Sequence, residues 1–96
     1  MVAGGGRGDE LEIISVEETG PGTAVCLVRC LAGVARVGGR FETGTPVLDR
    51  MDRAEHVPVD FIDPPHTAKA RFSGEGVRAL RPRIVMSSTG PRRYVY

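Results

Sequence analysis

Apolar and polar residues alternate with a period of two over short stretches of this chain, and glycine or proline interrupts each stretch. That is the pattern of short strands joined by tight turns. Leu11, Ile13, Ser15 and Glu17 alternate with Glu12, Ile14, Val16 and Glu18, and Gly20-Pro21-Gly22 breaks the run. Thr23 to Leu31 is apolar or β-branched at nearly every position apart from Arg29, which predicts a central strand buried on both faces. Gly33 ends it, Gly38-Gly39 forms a turn, and Arg40 to Thr43 begins another short strand. Val47 to Ala54 fits a strand or a short helix, with the strand favoured. Val57 to Ile62 is extended around Pro58, because proline restrains itself and its predecessor. Thr67, Lys69 and Arg71 then alternate with Ala68, Ala70 and Phe72. Val77 to Leu80 reads as one helical turn stopped by Pro82, and Ile84 to Met86 as a short closing strand.

No stretch forms an amphipathic helix of three turns. The expected fold is all-β: a small closed antiparallel β-barrel of six or seven short strands, since closure removes exposed sheet edges. Residues 10–90 would form this single domain. Residues 1–9, with Gly4, Gly5, Gly6 and Gly8, would be a flexible arm, and residues 91–96 a tail or an edge strand.

Composition narrows the class. The chain has 96 residues, 41% of them hydrophobic and 26% charged, which suits one globular domain and excludes intrinsic disorder. No apolar run is long enough to span a bilayer as a helix. Met1 to Gly8 lacks the apolar core of a secretory signal. The net charge of +1 hides an asymmetry. Residues 1–68 carry six arginines against eleven acids, a balance of −5; residues 69–96 carry seven basic residues against Glu75, a balance of +6. Twelve of the thirteen basic residues are arginine, the better fork for phosphate and carboxylate, although a GC-rich coding genome produces the same bias.

Cys26 and Cys30 are four apart in the most apolar strand. There they would share a face about 13 Å apart, too far for a disulfide. Reduced thiols without an export signal point to the cytoplasm.

One stretch, Gly33-Val34-Ala35-Arg36-Val37-Gly38-Gly39-Arg40-Phe41, has the form G-x-x-[basic]-V-G-x-x-[apolar] after a long strand. It resembles the β-barrel domain II of translational GTPases, the family of elongation factor Tu, where a glycine and a "kVGd" turn follow such a strand. On this reading Gly33 permits the bend, Gly38 a positive-φ turn, and Val37 anchors the turn in the core. Thr67 to Gly74, Val77 to Leu80 and Arg81-Pro82-Arg83-Ile84-Val85-Met86 look like the later hairpin and "rGdvL" segment of that family. Arg83-Ile84 stands where the family usually has Gly-Asp. The resemblance spans roughly Glu10 to Ser88. It implies the barrel alone, for the chain has no G-x-x-x-x-G-K-[ST] phosphate loop, D-x-x-G switch or N-K-x-D base reader. In the family this barrel packs against the GTPase domain and contacts ribosomal RNA or the aminoacyl end of tRNA; the matched positions here are structural and transfer none of those contacts.

Three groups of residues could carry function. Arg78, Arg81, Arg83, Arg92 and Arg93 could neutralise phosphates, with Tyr94 or Tyr96 available to stack on a base; the plain alternative is a solvated face balancing the acidic two-thirds. His56, Asp60, Asp63 and His66 have the residue types of a metal site, but an extended, proline-containing segment scatters them over both faces. Cys26 or Cys30 could be a nucleophile, but both occupy a setting where cysteine packs as a small hydrophobe. The expectation is a non-enzymatic binding module that docks onto a protein or ribonucleoprotein partner, without a cofactor and without a membrane. The alternatives are an oligomerising unit that adds Tyr94-Val95-Tyr96 to a neighbour's edge, and a small thiol- or metal-dependent enzyme.

Overall fold

Alternation is realised most fully at the centre of the protein. In a computed structural model that describes residues 8–42, 45–88 and 90–94 (Glu55 and the last five by backbone alone), Ala24, Cys26, Val28 and Cys30 point inward from strand β2 (Thr23–Ala32), and Ala68, Ala70 and Phe72 from β7 (Thr67–Ser73). The other strands are β1 (Glu10–Gly20), β3 (Ala35–Arg36), β4 (Val47–Arg53), β5 (Val57–Val59), β6 (Phe61–Ile62), β8 (Ile84–Ser87) and β9 (Gly90–Tyr94). Two 3-10 turns, Ala54–His56 and Val77–Ala79, lie between the strands. None of their helices is long and apolar enough to cross a membrane.

All strand pairs are antiparallel. Seven strands form one sheet in the order β5-β4-β7-β2-β1-β8-β9, and β3 pairs with β6 in a second, two-stranded sheet. The all-β expectation holds. The closed ring does not form among the described residues, because the ladder begins at β5 and ends at β9. Each of these edge strands carries a proline, Pro58 or Pro91, and proline has no N–H to continue a ladder. The inner face still collects into one cluster. It takes Leu11 and Ile13 from β1, Leu48 and Met51 from β4, Ile84 and Met86 from β8, and Ala35 and Ile62 from the small sheet. Phe41 and Phe72 meet edge to face within it, ring centroids 6.3 Å apart at 83°.

Three local expectations change. β2 is buried on one face only: Val25 and Leu27 are half-buried, and Arg29 and Leu31 are exposed. Val37 does not anchor its turn, being 40% exposed; Ala35 and Phe41 are the buried residues on either side. Past Arg40, which bridges to Val47, the backbone leaves the extended region at Glu42 (φ 54).

Gly33 is required where it stands. Its φ is +70, and a Cβ there would lie 2.6 Å from Oδ1 of Asp9. That carboxylate accepts the N–H of Val34 (3.1 Å), while the Asp9 N–H donates to Oγ of Ser88 (2.8 Å). Asp9 thus ties the start of β1 to the β2–β3 and β8–β9 connections. Residues 1–7 of the expected arm lie outside the described residues.

Candidate functional site

The connection from β7 to β8 carries three of the five arginines singled out above. Gly74 (φ 105) and Gly76 (φ 91) reverse the chain, and the Gly74 N–H donates to the Gly22 carbonyl (3.0 Å), joining this turn to the β1–β2 hairpin. Val77 and Leu80 bury their side chains and pin the 3-10 turn to the core. Arg78 lies between them and is exposed. A shallow hollow of about 470 Å3 beside it is lined by Gly22, Gly74, Glu75, Gly76 and Val77, so bare backbone borders a cation.

Arg81 turns back on the same segment. Its Nη1 donates to the carbonyls of Arg78 (2.8 Å) and Leu80 (2.9 Å), closing the end of the 3-10 turn. Next comes a turn in which the Ile84 N–H donates to the Arg81 carbonyl (3.2 Å). Pro82 takes the second position and Arg83 the third, with φ 75. These are the features of a type II turn, whose third position favours glycine. The Arg83 N–H donates to the Ile13 carbonyl (2.8 Å), so the turn is docked on β1 while the side chain is exposed. Arg92 and Arg93 lie on β9, where Arg93 pairs with Val85 and Tyr94 with Ile84. The register thus sets the β9 backbone beside the residue that follows Arg83. The side chains of Arg92, Arg93 and Tyr94, and all of Tyr96, lie outside the described residues.

Several other basic residues are engaged. Arg29 faces Glu12 at 3.7 Å, Arg50 Nε reaches Asp52 at 3.1 Å, and Lys69 reaches Glu17 at 3.1 Å. The Arg36 guanidinium lies 5.6 Å from the centre of the Phe61 ring. Arg78 and Arg83 have no carboxylate partner among the described residues.

The remaining candidates separate. His66 Nδ1 lies 3.0 Å from Oδ1 of Asp63 within a local turn, and His56 is exposed at the end of the first 3-10 turn. Among the described residues no three histidine, cysteine, aspartate or glutamate side chains converge. Cys26 and Cys30 are free and fully buried. Burial, with a smaller contribution from the charge of Glu17, pushes the Cys26 thiol up to about 11; burial likewise raises that of Cys30. Thiolates are thereby disfavoured where a nucleophile would need them.

Sequence reasoning missed a cleft on the solvent face of the sheet, of about 280 Å3, to which Arg53 and His56 contribute. The sequence singles out His56 only within the candidate metal string and Arg53 not at all, and no local pattern marks His56 as left-handed (φ 62). Comparison of the chain with family models, with curated proteins and with solved structures gives no match.

Proposed function

We propose that the protein is a non-enzymatic binding module, a stand-alone β-barrel of the translation-factor domain II type, which docks onto a protein or ribonucleoprotein partner through Arg78 and Arg83. The observation that carries this reading is the conformation of Arg83. An exposed arginine without an acidic partner occupies a left-handed position that glycine would fill at lower cost. A strained residue is retained where the surroundings enforce it, and such positions cluster at functional sites. The same position supports the family reading, since Arg83 stands in the place of the glycine of the "rGdvL" turn. In this reading the barrel closes by packing around one core rather than by a continuous ladder. Fold analogy by itself does not establish a partner, so the arginines carry the functional claim.

The test is retention of RNA on the immobilised full chain. Phosphate contacts are lost steeply with salt, so retention at about 50 mM should largely disappear by about 200 mM. Replacing Arg78 and Arg83 together by glutamine should weaken it at every salt concentration. No retention at the lowest salt rejects a ribonucleoprotein partner and leaves a protein one.

The ladder ends at β9, where the backbone of Arg92 to Tyr94 beyond Pro91 carries N–H groups, and this favours a second reading, a unit that pairs with another copy of itself. Light scattering on the full chain and on a chain ending at Gly90 decides it; a monomer in both rejects it.

A further inference from the structure

On the solvent face of the large sheet, Asp52, Lys69 and Leu27 stand opposite one another on β4, β7 and β2. Where β4 ends, Arg53 and the following 3-10 turn add to the wall of the 280 Å3 cleft. Leu27 and Ala54 supply its apolar surface, and Arg53, His56 and Lys69 its basic groups. The one aspartate in the lining, Asp52, is already bound by Arg50 Nε at 3.1 Å. Lys69 is held by Glu17 through an exposed contact, and exposed pairs of that kind contribute little and are readily exchanged. Arg53 and His56 have no ion pair among the described residues.

We propose that this cleft binds a small phosphate ester. The guanidinium of Arg53 and the ammonium of Lys69 would take phosphoryl oxygens, the His56 ring would supply a further donor, and the apolar part of the ester would lie against Leu27 and Ala54. Basic groups from two strands and a turn suit a tetrahedral anion with three terminal oxygens better than a planar carboxylate with two. The volume sets the size. It lies at the small end of ligand cavities, which begin at about 300 Å3, so it admits a small monoester and not a dinucleotide. The site is separate from the arginines of the β7–β8 connection and does not depend on the docking function proposed for them.

The experiment is an amide chemical-shift titration of the full chain at constant ionic strength with inorganic phosphate, phenyl phosphate, acetate and phenol. Phosphate and phenyl phosphate should shift the amides of residues 52–56 and 67–69 saturably, with phenyl phosphate the tighter, in the range of about 1 mM. Acetate and phenol should not. R53Q and K69M should each weaken binding about fivefold or more, as expected for loss of a charge-assisted hydrogen bond. If K69M loses its shift dispersion, R53Q, at an exposed position, decides the matter alone. The proposal is overturned by the absence of saturable shifts to about 20 mM phosphate. It is equally overturned by shifts centred on residues 78–83, by acetate binding as well as phosphate, or by R53Q binding unchanged.

Discussion

The Cβ of a left-handed residue crowds a neighbouring carbonyl, a strain that glycine escapes, so Arg83 stores unfavourable energy in an otherwise well-anchored turn. Arg83→Gly should therefore raise stability by about 1 kcal/mol in denaturant unfolding while weakening partner retention. A variant no more stable than the parent would show that the turn holds arginine without strain. The thiols make a second prediction at this scale. Cys26 titrates at about 11 in the folded protein against an ordinary 9.0, so the neutral thiol is the form that folding favours. Its contribution to stability is complete below pH 9 and is lost as pH rises from 9 towards 11. Native protein at pH 8 should resist a thiol reagent that modifies both cysteines once denaturant is added, and rapid native labelling would contradict the burial.

At the scale of elements, legibility followed the locality of the cause. The alternation of Thr67 to Phe72 was readable because strand β7 needs only a period of two and one apolar side to define its faces. The central strand expected at Thr23 to Leu31 is present, as Thr23–Ala32, but its faces were misjudged. Val25, Leu27 and Leu31 are apolar yet lie outward, among the stems of Arg29 and Lys69. The division of Val57 to Ile62 between two sheets at Asp60 was not readable, since β5 closes a local hairpin with β4 whereas β6 pairs with β3, a partner distant in sequence. The same holds for the site: the cluster at 78–83 is contiguous in sequence, whereas the cleft gathers β2, β4 and β7. Edge chemistry is local again. Pro58 is central in β5, opposite Asp52, and beside it Val57 is 54% exposed. A proline there leaves the outer edge without an N–H donor and so blocks strand addition. Pro58→Val should make the protein self-associate as concentration rises, as seen by sedimentation. A strictly monomeric variant would show that something else guards this edge.

Considered as a whole molecule, the chain separates the electrostatics of folding from those of binding. Its radius of gyration is 12.2 Å, close to the roughly 12–13 Å of a compact domain of this length, and one apolar cluster joins strands from both sheets. The ion pairs Arg29–Glu12, Arg50–Asp52 and Lys69–Glu17 on its surface all have substantially exposed cationic partners. Such pairs contribute about 0–1 kcal/mol each and are screened beyond about 10 Å at 0.1 M salt. Raising salt should accordingly leave the unfolding midpoint nearly unchanged. The arginines of the β7–β8 connection behave differently, because an exposed cation that neutralises a phosphate on a single strand adds about 0.7 to the slope of log affinity against log salt. Replacing Arg78 and Arg83 should therefore lower that slope by about 1.4 for RNA while the melting curve keeps its insensitivity to salt. A slope that stays constant in the double variant would remove these two side chains from the interface. A melting point that falls steeply with salt would instead place the basic segment in the service of the fold, as the counterweight to the acidic residues that precede it.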